Sequence, residues 1–132
     1  MPTIFSKIIS GEIPSYKVAE NEDFLAFLDI NPNSIGHTLC IPKKEIDYIL
    51  DLDENTFQEL MKFSRKVALS IDKVIDCERV SLSVIGLEVP HVHVHLIPIK
   101  KMSDANFTKK VSMNDNQFKQ TASLISDAFK SI

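Results

Sequence analysis

With 132 residues, 44% of them apolar and 25% charged, the chain has the size and composition of one globular domain with its own core. A net charge of −3 and a pI near 5.8 exclude the basic stripe that follows a nucleic-acid backbone, although one pocket of an acidic protein can still be locally positive. Two isolated cysteines, Cys40 and Cys77, make neither a disulfide framework nor a zinc knuckle; no signal peptide is expected, and no apolar run reaches membrane length. The expectation is a soluble, cytoplasmic protein with no nucleic-acid or membrane partner.

In chain order, Ile4, Phe5, Ile8 and Ile9 fall at helical spacing before Gly11 and predict a short helix over 4–10. Tyr16–Glu20 and Asp23–Asp29 read as strands around Asn21-Glu22. Ile30-Asn31-Pro32-Asn33-Ser34 is dense in turn formers, and Gly36–Ile41 follows as a third strand stopped by Pro42. From Asp53, a plausible N-cap, the period changes: Phe57, Leu60, Met61, Val67, Ala68, Ile71, Val74 and Ile75 make one helical stripe. Val80–Ile85 and Val92–Ile99 read as strands. A closing helix is capped by Asn114 or Asp115 and buries Phe118, Ala122, Ile125 and Phe129. With no repeat or linker, residues 1–132 predict a single α+β domain: a five-stranded antiparallel sheet with one long helix and short N-terminal and C-terminal helices.

Three of the four histidines lie in Pro90-His91-Val92-His93-Val94-His95-Leu96-Ile97-Pro98. Strand alternation puts His91, His93 and His95 on one face, successive ones about 7 Å apart, and Val92, Val94 and Leu96 on the core face. Three imidazoles so close resist simultaneous protonation, and a neutral imidazole is a base or nucleophile at neutral pH. Two readings stay open beside catalysis. The rings can be partnered histidines of a polar sheet face, or two of them can hold zinc with His37, Asp29 or Glu88 as third ligand.

The string His-Val-His-Val-His-Leu-Ile at 91–97 matches the histidine triad pattern. Residues 4–14 (Ile-Phe-Ser-Lys-Ile-Ile-Ser-Gly-Glu-Ile-Pro), 25–32 (Leu-Ala-Phe-Leu-Asp-Ile-Asn-Pro) and 36–44 (Gly-His-Thr-Leu-Cys-Ile-Pro-Lys-Lys) resemble other segments of the same family, in order. The chain therefore resembles the histidine triad superfamily, in its branch of small nucleotide hydrolases. The resemblance implies a homodimer joining two five-stranded sheets, and a purine nucleoside phosphate substrate attacked at its α-phosphorus. It implies that His93 is the nucleophile, that His95 and His37 contact the phosphate, and that His91 orders the cluster. It further implies that Asp29 accepts hydrogen bonds from the ribose, that Ile4, Phe5, Ile8, Phe27 and Ile30 line the base, and that backbone N–H groups near Glu88 and Val89 cradle the phosphate. Taken singly, Asp29 could merely cap a turn, Ile4, Phe5, Ile8 and Phe27 could be core, and His37 an ordinary strand histidine.

The sequence also departs from the pattern. Zinc-binding members of this branch open with Cys-x-x-Cys and carry a further histidine; those places here hold Thr3, Ser6 and Glu45, so neither a structural zinc nor any cofactor is expected. Leu87 replaces the usual glutamine, and the loop at 83–86 is short. Glu88 is an acid toward the leaving group or a solvated carboxylate. The expected activity is hydrolysis of nucleoside phosphoramidates or other nucleotidyl conjugates through a nucleotidyl-histidine. The alternatives are dinucleoside polyphosphate hydrolysis, nucleotidyl transfer, and a nucleotide-binding interaction module with weak catalysis.

Overall fold

The computed structural model describes residues 2–132. Five strands, β1 (Lys17–Glu20), β2 (Phe24–Leu28), β3 (Thr38–Pro42), β4 (Arg79–Ser83) and β5 (Val94–Ile99), form one antiparallel sheet in the order β1-β2-β3-β5-β4. Helices α1 (Ile4–Ile9), α2 (Glu54–Val74) and α3 (Asp115–Lys130) complete it, with 3-10 turns at Ile49–Asp51 and Met102–Ala105. This is the α+β arrangement that the hydrophobic periods predict.

Alternation sorts the central strands into two layers. Phe24, Ala26 and Leu28 of β2, Cys40 of β3, and Val94 and Leu96 of β5 pack with Leu60, Phe63, Val67 and Ile71 of α2 and with Phe118, Ala122 and Ile125 of α3. The intervening residues Leu25, Phe27, Leu39 and Ile41 face the other way and meet Phe5 of α1. Both faces of the sheet centre are thus covered, and each Leu or Ile buried there contributes about 1.5–3 kcal/mol.

Several boundaries differ from the sequence reading. Pro42 ends β3 as a paired residue opposite Phe24 instead of stopping it one residue earlier. β4 spans 79–83 rather than 80–85, and β5 starts at Val94 rather than Val92, because the Val92 N–H is drawn away to the Ile46 carbonyl at 2.8 Å. Phe57, in the first turn of α2, stays exposed, whereas Phe63, outside the predicted stripe, is buried. Phe129 packs at the margin of the core instead of within it. Asn114 rather than Asp115 caps α3, exchanging hydrogen bonds with Gln117 at 2.9 and 2.8 Å.

One glycine positions the site. Gly36 has φ +99°, and a Cβ there would lie 3.1 Å from Ile75 and 3.2 Å from Pro98. The turn it permits, closed by His37 N–H to the Ser34 carbonyl at 3.1 Å, delivers His37 to the start of β3.

Candidate active site

The triad segment reaches the sheet before joining it. His91 N–H donates to the Val89 carbonyl at 2.8 Å, and the strand ladder begins only three residues later. Val92, Val94 and Leu96 enter the core beneath α2, as their alternation predicts, while His93 and His95 take the α1 side with Phe5 and Phe27. The imidazoles are not solvated: His37 and His91 are fully buried, and His93 and His95 retain 6% and 8% exposure. The rings are partnered, as the polar-face reading has it, but they are not partly exposed, since α1 and the segment after β5 cover them.

Hydrogen bonds fix each ring's tautomer. His91 Nε2 lies 2.8 Å from the Pro42 carbonyl, which can only accept, so Nε2 carries the proton and Nδ1 accepts from the Thr3 hydroxyl at 3.1 Å. His93 Nδ1 lies 2.7 Å from the His91 carbonyl and donates to it, which leaves the lone pair on Nε2. His37 Nδ1 accepts the Asn33 N–H at 3.0 Å, so its Nε2–H donates to His95 Nδ1 at 3.0 Å and the proton of His95 sits on Nε2. His93 thus presents a lone pair and His95 an N–H, on rings whose centres are 4.9 Å apart. Thr3, one of the places where zinc binders have cysteine, caps α1 through Ser6 and orients His91 with the same hydroxyl.

Burial keeps three rings neutral. It pushes His37 down to about 3, helped by nearby His95 and Lys110, and His95 down to about 4, helped by His93 and Lys110. His91 is lowered by burial against the opposing pull of the Pro42 carbonyl and Glu45. Asp29 is raised by burial, partly offset by the Asn31 N–H that its carboxylate accepts at 2.8 Å. Asp29 therefore caps its turn and also faces the cluster, with Oδ2 3.6 Å from His37 Nε2.

Asp29, His37 and His95 lie close enough to suggest a metal site, their ligand atoms all within 4.8 Å of one another. Their chemistry does not fit one. His37 Nδ1 already accepts a backbone N–H, so a metal at Nε2 would require an imidazolate, and His95 Nδ1 is taken by that same Nε2–H.

A cleft of about 560 Å³ opens over His93 and His95. Phe5 and Phe27 form its floor; Ile4, Ile8, Ile30 and Asp29 border one part, and Glu88 and Val89 another. Phe5 and Phe27 are themselves buried, while Ile4 is 48% and Ile30 70% exposed, so the cleft combines a packed floor with an open apolar rim. His37 and His91 do not line it but stand behind it, His37 bonded to the His95 ring and the His91 carbonyl to the His93 ring. Sequence reading missed Asn33, Phe107 and Lys110. Asn106-Phe107-Thr108 forms a turn in which Asn106 Oδ1 accepts from the Thr108 N–H and hydroxyl at 2.9 and 2.7 Å, and it sets Phe107 edge-on to His95 with ring centres 4.8 Å apart. Only an aromatic and a lysine close behind the triad signalled this. A larger cavity, about 800 Å³ between residues 13–17 and α3, contains no histidine and carries no comparable chemistry.

Residues 10–102 match the family described as the HIT domain. A "HIT-like" protein of Borreliella burgdorferi is 35% identical, over 93% of this chain and 95% of its own. An adenosine 5′-monophosphoramidase of Schizosaccharomyces pombe is 37% identical over 74% of each chain. The crystal structure of a Hit-like protein from Bartonella henselae superposes with a TM-score of 0.83 at 31% identity, covering 96% of this chain and 95% of that one.

Proposed function

The chain belongs to the HIT-domain family, and within that family we propose that it is a nucleotidyl hydrolase acting on nucleoside phosphoramidates or related purine nucleotidyl conjugates through a covalent His93 intermediate. The observation that carries this reading is the pair of complementary tautomers, a free lone pair on His93 Nε2 beside an N–H on His95 Nε2.

In the first step His93 Nε2 attacks the α-phosphorus, and the bond from phosphorus to the leaving group breaks. The leaving group departs with the bonding pair and takes a proton from solvent. The new imidazolium keeps its Nδ1–H on the His91 carbonyl, which stabilises the positive ring. His95 Nε2–H donates to a non-bridging oxygen, where charge accumulates. Water then attacks phosphorus and gives up a proton to solvent, the P–N bond breaks, and the bonding pair returns to His93 Nε2 with release of a nucleoside monophosphate. Asp29 offers the free part of its carboxylate to the ribose hydroxyls, and the apolar rim of Ile4, Ile8 and Ile30 takes the base. Activity of the fission-yeast relative on adenosine 5′-monophosphoramidate supports this substrate class.

We also propose a homodimer formed through the outer edge of β4. Among the described residues that edge has no strand partner, and Leu82, Val84 and Ile85 beside it are 50%, 37% and 50% exposed. Light scattering tests it directly.

Mass spectrometry after brief mixing with adenosine 5′-phosphoramidate and acid-free quenching tests the mechanism. A nucleoside monophosphate adduct on the peptide containing His93, absent in His93→Ala, is expected. Nucleotide binding with neither adduct nor turnover would leave a binding module in its place, and sensitivity to a chelator would indicate a metal hydrolase.

A further inference from the structure

The family match ends at residue 102, yet the chain then turns back over the cleft. The turn is tied down at several points. The Asp104 carboxylate accepts the Lys100 and Lys101 N–H groups at 2.8 and 3.2 Å, and the Val111 N–H reaches the Pro32 carbonyl at 2.9 Å. The segment so held puts Phe107 against His95 and sets Lys110 at the cleft rim, its Nζ 5.2 Å from the centre of the Phe107 ring. The ammonium donates to Asn33 Oδ1 at 2.9 Å. Asn33 is fully buried and is the residue whose N–H fixes His37.

The balance of charge in the cleft makes this lysine important. Its walls carry two carboxylates, Asp29 and Glu88, and Lys110 is the only lysine or arginine among the described residues lining it. The neutral rings of His37 and His95 can orient and donate hydrogen bonds but supply no net charge. A nucleotide phosphoryl group placed between these carboxylates would be an anion without a cation, an arrangement that costs free energy in a partly desolvated site. Lys110 already lies near enough to act electrostatically on Asp29, His37 and His95 alike. A lysine on a flexible four-carbon stem can move from a neutral amide oxygen to a phosphoryl oxygen, for which it has far more to gain.

We infer that Lys110 is the phosphate counter-ion of this site: its ammonium, which donates to Asn33 Oδ1, binds a non-bridging oxygen of a nucleoside 5′-phosphate in the complex. Lys110 is then a substrate-binding residue supplied from outside the matched domain, and Asn33 serves both it and His37. The inference rests on the nucleotide reading of the cleft, but it concerns binding rather than turnover.

Calorimetry with adenosine and with AMP, on the wild-type chain and on Lys110→Met and Lys110→Arg, tests it. Adenosine shares the base and ribose but lacks the anion. The wild type should bind AMP more tightly than adenosine. Lys110→Met should weaken AMP roughly tenfold to a hundredfold, the worth of a charge-assisted hydrogen bond, and leave adenosine within about twofold. Lys110→Arg should restore most of the AMP affinity. An AMP affinity unchanged in Lys110→Met overturns the inference, as does an equal loss for both ligands, which would mean that the segment merely shapes the cleft. A wild type that binds neither ligand would instead remove the nucleotide reading on which the inference stands.

Discussion

His37 Nε2 and His95 Nδ1 lie 3.0 Å apart, with the proton between them on His37 because a backbone N–H occupies its other nitrogen. A main-chain group at Asn33 thereby decides, two rings away, which nitrogen of His95 faces the cleft as a donor. His93 is fixed the opposite way by a main-chain carbonyl. The two orientations are set by the fold and not by the substrate, and this is the sense in which the site is preorganised.

Replacing His37 with Leu frees His95 Nδ1 and lets the ring change tautomer. Turnover should fall by about 10²–10⁴-fold, the usual worth of a correctly placed acid–base group, with much less effect on AMP affinity. His37→Gln keeps an N–H for His95 and should recover part of the loss. Single-turnover kinetics beside calorimetry measure both, and a His37→Leu enzyme as fast as wild type would show that the tautomer is immaterial.

Thr3→Val should destabilise the chain. It leaves His91 Nδ1 buried without its donor, at a cost of about 1–3 kcal/mol, and removes the cap of α1, worth about 1 kcal/mol more. Thr3→Ser keeps both bonds and should remain near wild type. Urea midpoints compare the three chains. Equal midpoints for Val and Thr would mean that the hydroxyl does not hold His91.

Acid should weaken the fold earlier than carboxylate titration alone would. His37 and His95 are pushed down to about 3 and about 4, so below their ordinary value of about 6.5 the unfolded chain binds protons that the folded chain refuses. Stability is thus complete above that value and falls as pH decreases toward the folded values, by up to about 1.4 kcal/mol per pH unit for each ring. Asp29, raised by burial, works in the opposite direction near its own range. Urea midpoints between about pH 7.5 and 5 should drop, and His95→Gln should flatten the slope. A midpoint that stays constant over this interval would show that the rings are not held neutral.

Much of this protein could be read along the chain because local periods report local environments. The stripe of α2 and the sorting of Val92, Val94 and Leu96 into the core follow from where side chains point on a helix or strand. The same alternation set His93 and His95 together on the α1 side. The strand boundaries were harder to read. β5 starts late because Ile46, 46 residues before Val92, captures its N–H, and Pro42 can end a paired strand because the bond that closes the pair is the Lys43 N–H to the Asp23 carbonyl at 2.8 Å, so β2 asks no N–H of the proline. Phe63 was misjudged because the stripe of α2 is centred by what it packs against as well as by its own spacing.

The sequence by itself determined the fold class and which histidines share one side of the last strand, since both depend on residue type at fixed short spacing. Only the tertiary structure decided which nitrogen of each ring carries a proton, that His37 and His91 lie behind the cleft, and that Lys110 shares Asn33 with His37 across a separation of 77 residues. These are relations among groups distant in the chain, set by hydrogen bonds to backbone atoms that every residue possesses. A backbone carbonyl or N–H leaves no mark in the sequence until folding gives it a partner.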